Sequence, residues 1–298
     1  MDISTLGTER QNAASAELDT MSALEIARLI NAEDAKVAAA VEKALPQIAK
    51  AIDAIAETFR MGGRLIYVGA GTSGRLAAFD AAECPPTFGI DPKTVQFVIA
   101  GGDSALSRAK EMSEDSRQAG PRDLAKRKPD RRDVVVGVAA SGRTPYTIAA
   151  IEYARKCDAK TIAVVCNPNT PLGRAADIEI AVEVGPEVLS GSTRMKAGTA
   201  QKMVLNMLTT GAMARLGHIY GNLMVNLHTK NEKLMERGLA ILEQSAGVDR
   251  AGASRALKAS GNQLAVALIM LKTGLSRAHA VRKLKNSKGN VRRAIEGS

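Results

Sequence analysis

From residue 64 onward the chain alternates short, uninterrupted apolar runs with amphipathic stretches. The runs cover residues 64–69, 94–100, 133–139, 161–166 and 178–184, are rich in β-branched side chains, and are flanked by Gly, Pro, Asn or Asp. A strand apolar at every position is buried on both faces, and strands separated by helices pair in parallel. The pattern predicts an α/β fold: a five-stranded parallel sheet with helices on both faces. Residues 21–58, ahead of it, read as helices. Leu24, Ile26, Ala27, Leu29 and Ile30 precede an expected turn and cap at Asn31-Ala32-Glu33-Asp34. Val37, Val41, Leu45, Ile48, Ile52 and Ile55 then recur at helical spacing, with Pro46 placed to bend or restart that helix. A long apolar helix is predicted from about Thr199 to Gly217, and beyond Gly238 short helices rich in Ala, Lys and Arg follow. Three regions result: N-terminal helices over 1–58, a main domain over 59–237 and a small C-terminal helical domain over 238–298.

A chain of 298 residues, 45% apolar, suffices for one large core and a small one. No apolar run reaches bilayer length and Met1-Asp2-Ile3-Ser4 opens no signal peptide, so no membrane is expected as a partner. Cys84, Cys157 and Cys166 are few, odd in number and far apart, which fits a reduced, cytoplasmic setting. His218, His228 and His279 share no ligand spacing, so no metal is expected. The net charge of +10 is concentrated in residues 250–298, which hold eleven Lys or Arg and one acid, Glu296. Aromatic content of 3% without tryptophan argues against base-stacking surfaces. The basic tail therefore reads as solvated helix faces, and no nucleic acid is expected as a partner.

The chemistry gathers at the ends of two strands. Gly69-Ala70-Gly71-Thr72-Ser73-Gly74 follows the first strand and leads toward a short helix expected from Arg75. Small residues let an anion approach the backbone, and a helix start supplies free N–H groups. The same loop fits Gly-x-Gly-x-x-Gly, but Asp103, the available ribose acid, lies nearly thirty residues beyond Gly74, later than a dinucleotide fingerprint requires. Ala139-Ala140-Ser141-Gly142-Arg143-Thr144-Pro145 follows the third strand and repeats the hydroxyl chemistry of Thr72 and Ser73. Two such loops suit one phosphate gripped from two sides.

Glu83 stands before Cys84-Pro85-Pro86, in what reads as a non-repetitive turn near the first loop, an odd place for a merely solvating carboxylate. Glu114, in Glu111-Met112-Ser113-Glu114-Asp115, reads on its own as the solvated face of a polar helical stretch. Arg194 and Lys196 either balance phosphate charge or pair with local acids.

Gly71-Thr72-Ser73-Gly74 and Ser141-Gly142-Arg143-Thr144 resemble the phosphate grip of the sugar isomerase domain, and the stretch from Glu187 to Gln201, with Ser192-Thr193-Arg194, resembles the segment that closes over the sugar. More narrowly, Thr8-Glu9-Arg10-Gln11-Asn12, residues 63–86, 139–146 and 191–206, and Gly221-Asn222-Leu223-Met224-Val225 resemble the N-acetylmuramic acid 6-phosphate etherases, over nearly the whole chain. The resemblance implies cleavage of a D-lactyl ether on a phosphosugar, without metal or nucleotide cofactor, by a homodimer. It places the catalytic pair on Glu83 and Glu114. It gives substrate binding to Thr72, Ser73, Gly74, Ser141, Gly142, Thr144, Ser192 and Thr193. The two prolines after Glu83 suggest a rigid, partly dehydrated turn, which would make Glu83 the acid and Glu114 the base. Residues 199–227 offer more apolar helix surface than one sheet face covers, which fits a dimer. A phosphosugar isomerase and a non-catalytic sugar-phosphate sensor are the alternatives. An isomerase needs no acid aimed at an ether, and a sensor could dispense with either glutamate.

Overall fold

The structure, a computed structural model, describes residues 6–227 and 232–297, with the backbone alone at Glu111. His228 and the opening Met1-Asp2-Ile3-Ser4 lie outside the described residues. The chain divides into two compact units. One comprises Met1–Ala82 and Lys93–Thr209; the other comprises Glu83–Pro92 and Thr210–Ser298. These limits are drawn elsewhere than the expected division at 58 and 237: residues 83–92 and 210–237 group with the C-terminal helices.

In the first unit, α1 (Ala23–Asp34), α2 (Val37–Lys43) and α3 (Leu45–Arg60) precede the sheet. Asn31–Asp34, expected as a turn, is the last turn of α1, because the helix continues until Ala35 caps it. Pro46 sits in the first turn of α3, where its missing N–H costs nothing, so it restarts the helix. Five strands follow: β1 (Leu65–Gly69), β2 (Val95–Ile99), β3 (Val134–Val138), β4 (Lys160–Val165) and β5 (Ile178–Ala181). They form one parallel sheet in the order β2-β1-β3-β4-β5. β1 and β3 are buried at every position, whereas the edge strands β2 and β5 are partly exposed.

Alternate side chains fill two layers. Ile66, Val68, Val135 and Ala163 pack with Leu124 of α5 (Ala119–Ala125), Ile148 and Ile151 of α6 (Pro145–Lys156), and Leu172 of α7 (Pro171–Ala175). On the opposite face the Tyr67 hydroxyl donates to Asp80 (2.9 Å), which lies on α4 (Gly71–Phe88). Asp80 also accepts from Asn206 (2.8 Å) and Thr209 (3.2 Å) on α8 (Lys196–Leu216). Burial holds the Asp80 carboxyl above its ordinary range against these donors. Removing it takes away a buried acceptor shared by Tyr67, Asn206 and Thr209, of which Thr209 also donates to the Leu205 carbonyl (3.2 Å). Asp80→Ala is expected to lower unfolding stability by about 2–4 kcal/mol, read as a lower urea midpoint at unchanged slope.

α4 corrects two expectations. It begins at Gly71 rather than at Arg75, so Thr72, Ser73 and Gly74 form its first turn. It also runs through Pro85 and Pro86, so Glu83 is helical and exposed, not set in a rigid, dehydrated turn. A proline's fixed φ is compatible with a helix, and its cost is a missing backbone bond near the end. Glu114 departs the other way. A single 3-10 turn (Glu111–Ser113) precedes it, and Glu114 itself lies in a turn, partly buried, not on a helix.

In the second unit, α9 (Glu232–Ala246), α10 (Arg250–Ala259), α11 (Leu264–Thr273), α12 (Arg277–Asn286) and α13 (Val291–Glu296) share a core of Leu242, Leu257, Val266, Leu268, Ile269 and Val291. α11 is apolar almost all round and buried over its first six residues, as the central helix of a bundle must be. α12 buries only Ala280, and its basic residues lie on exposed or half-buried positions. Ser260 receives the backbone N–H of Gln263 (3.1 Å) at the entry to α11, and Asn290 caps α13 through the N–H of Arg293 (2.9 Å). Among the described residues no single helix is long and apolar enough to cross a membrane.

Candidate active site

In an open parallel sheet ligands bind at the carboxyl ends of strands, where the chain's winding reverses. Here β1 connects to β2 on one side and the chain returns to β3 on the other, so the reversal lies between β1 and β3. The two hydroxyl loops leave those two strands. Gly71, at φ +52°, turns the chain from β1 into α4, whose first turn carries Thr72 (partly buried), Ser73 (8% exposed) and Gly74 (buried). Gly142, at φ +63°, turns the chain after β3 under Thr170, whose Cβ would stand 2.4 Å from any Cβ added there. Ser141 accepts the N–H of Arg143 (3.2 Å), and Thr144 is the N-cap of α6, to which its hydroxyl makes no capping bond.

Glu114 links the loops. Its carbonyl accepts the N–H of Tyr146 in the first turn of α6 (3.0 Å). Its carboxylate lies over Gly71, with Oε1 2.7 Å from the position a Cβ would take there. Glu114, a solvated face by its local pattern, therefore stands beside the first loop. No local pattern reveals this, because the turn holding it is placed by the packing of α5 against α6.

The Ser192-Thr193 segment arrives by a different device. Glu187, fully buried, accepts the backbone N–H groups of Lys196 and Ala197 (2.9 Å each) and so caps α8. Burial raises its carboxyl above the ordinary range, opposed by those two N–H groups. The buried Cys166 thiol beside it is pushed up to about 12 by burial, with the charge of Glu187 adding. Lys196 is buried and paired with Glu33 of α1 (2.6 Å), so of the two roles left open for it the structure shows pairing; Arg194 is exposed. The Thr193 carbonyl accepts the N–H of Gly198 (3.0 Å), and Thr72 Cγ2 lies 3.6 Å from a Cβ position at Gly198, which brings Thr193 toward the first loop. Ser192 lies partly buried in the same turn. Gln201, one helical turn further on and 1% exposed, accepts the Ser73 hydroxyl (2.9 Å).

The N-terminal segment joins this edge. Asn167 donates to Thr8 Oγ1 and to the Ala140 carbonyl (3.1 Å each), and the Ser190 hydroxyl donates to the Glu9 carbonyl (3.4 Å). Thr8-Glu9-Arg10-Gln11-Asn12 stands out in the sequence; Asn167, which ties it to the second loop, does not. Glu83 falls in the other compact unit, on the exposed face of α4. No group of three or more His, Cys, Asp or Glu fit to hold a metal occurs among the described residues.

Comparison with known proteins agrees with this architecture. The family model described as glucokinase regulatory protein N-terminal SIS domain matches residues 47–155. A solved phosphoheptose isomerase from Francisella tularensis superimposes with a TM-score of 0.51 at 20% identity, covering 65% of this chain and all of that one. At that identity the likeness is one of fold. Two curated relatives are far more similar. The N-acetylmuramic acid 6-phosphate etherase of Photobacterium profundum is 50% identical over 295 residues, 99% of this chain and 98% of its own. That of Symbiobacterium thermophilum is 55% identical over 276 residues, 92% of this chain and 91% of its own. The chain belongs to the N-acetylmuramic acid 6-phosphate etherase family.

Proposed function

We propose that this protein cleaves the D-lactyl ether of N-acetylmuramate 6-phosphate, giving N-acetylglucosamine 6-phosphate and D-lactate in the recycling of cell-wall sugars. The observation that carries the reading is Glu114 lying over Gly71, a proton-transfer group beside a phosphate-type loop.

The chemistry needs such a pair. An alkoxide leaves an ether carbon poorly. In the open-chain sugar, C2 adjoins the C1 aldehyde and its proton is acidified. A carboxylate removes that proton, the C3–oxygen bond breaks as a C2–C3 double bond forms, and a carboxylic acid protonates the departing lactate oxygen. Water then adds across the double bond, its hydroxyl to C3 and a proton to C2. Two carboxyl groups in opposite protonation states perform every proton transfer. Glu114 and Glu83 are the proposed pair. The N-terminal end of α4 favours negative charge, which suits Glu114 as the ionised base at C2. Glu83 as the acid rests on the family resemblance, since the expected dehydrated turn is absent. The 6-phosphate serves as a remote anchor for Thr72, Ser73, Gly74, Ser141, Gly142 and Thr144, with Ser192 and Thr193 completing the enclosure. Purified protein is expected to release D-lactate from N-acetylmuramate 6-phosphate; no release from folded protein overturns the reading.

Ser141→Ala removes one donor to a dianion and should weaken phosphosugar binding by about 1–3 kcal/mol, measured by calorimetry with the product sugar phosphate. Unchanged affinity would take the second loop out of the grip.

A cytoplasmic homodimer is part of the same proposal. The apolar surface at 199–227 does not support it as expected, because Val204, Leu205, Leu208 and Met213 are already buried within the chain. Exposed Leu24, Phe79 and Leu189 offer apolar surface instead. Light scattering at micromolar concentration should return twice the chain mass; a monomer would end the proposal.

A further inference from the structure

The Ser73 hydroxyl has one proton, and in this structure it is given to Gln201 Oε1. A serine in that state offers a phosphate only lone pairs, which repel it. On the same side chain, Gln201 Nε2 is buried without a hydrogen-bond partner among the described residues. A buried, unpartnered N–H is costly and rare, more so than an under-used carbonyl. One movement resolves both defects. Turning the carboxamide by half a revolution exchanges its ends with no change of volume. Nε2 then donates to Ser73 Oγ, and the serine proton is released to point at an anion.

We propose that Gln201 is a positioning residue that sets the direction of the Ser73 hydroxyl, with its amide reversed when the phosphosugar's phosphate is bound. One orientation of the amide keeps the serine proton on Gln201; the reversed orientation makes a relay from the Gln201 N–H to Ser73 Oγ and from the Ser73 O–H to a phosphate oxygen. No proton changes owner and no charge is created. Only hydrogen bonds are redirected, and the dianion gains a donor whose oxygen is itself polarised by an N–H. This inference rests on the phosphate reading of the first loop.

The test is a double-mutant cycle at Ser73 and Gln201, read as KM and kcat for release of D-lactate from N-acetylmuramate 6-phosphate. Gln201→Met keeps length and volume but removes the N–H, and should raise KM about 10-fold with kcat changed less than about threefold. Ser73→Ala should raise KM by a similar factor, and the double variant should be no worse than the worse single one. Gln201→Glu, an acceptor that retains the serine proton and adds charge, should raise KM about 100-fold. Multiplying single effects, a Gln201→Met protein with normal KM, or a loss confined to kcat would overturn the relay. If the buried carboxylate prevents Gln201→Glu from folding, the methionine cycle decides alone. A wild-type protein that releases no D-lactate would instead remove the functional reading beneath it, so the two failures are distinct.

Discussion

Glu114→Gln is expected to lower D-lactate release by about 10²–10⁴-fold, because the amide keeps the shape of the carboxylate and cannot accept a proton. Glu114 is partly buried over Gly71, so thermal melting of the variant is needed to separate lost chemistry from lost fold. The informative readout is exchange at C2. Loss of the base at C2 stops both lactate release and incorporation of solvent deuterium into unreacted sugar. Exchange that continues at the normal rate would show that another group abstracts the proton, and Glu114 would then be the acid or a bystander.

Glu83→Gln is the complementary expectation. Lactate release should fall by a comparable factor, about 10²–10⁴, while the C2 proton still exchanges with deuterated solvent. Loss of the acid leaves the C3–oxygen bond intact but not the acidity of C2 impaired. The substitution tests an assignment that its own surroundings do not explain, since Glu83 is an exposed helical residue in the second compact unit. Normal lactate release from Glu83→Gln would remove it from the mechanism. Normal release from both variants would remove the two-carboxyl mechanism altogether.

The two glutamates also mark the limit of local pattern. Two prolines after Glu83 predict an end to regular structure, yet α4 continues through them to Phe88. Each proline removes one hydrogen bond to the preceding turn and crowds the carbonyl four residues back, so continuing the helix through both is a local cost that the sequence pattern does not foresee. Glu114 is found through resemblance alone. A glutamate among Ser, Glu and Asp carries no local mark of function, and its partners at Gly71 and Tyr146 are remote in the chain. Gln201 is visible in the sequence only as part of a motif; the defect that gives it a role, an amide donor without an acceptor, exists only in the folded chain.

The sheet follows from the order of residues alone. Runs apolar at every position can be satisfied only between two layers, so all five strands lie within a few residues of their expected limits, and the loops after β1 and β3 carry their hydroxyls at the carboxyl ends. The restart at Pro46 and the apolar centre of the helical bundle at α11 are equally legible, because each follows from chemistry within a few residues. Folding was needed to make β1 and β3 neighbours, which puts the two loops side by side, and to bring Glu114, Gln201 and the N-terminal Thr8 onto them. Periodicity reports which side of an element is buried; it does not report what meets it there. Those contacts join residues far apart in the chain, and their energy is available only after the sheet and its helices have packed.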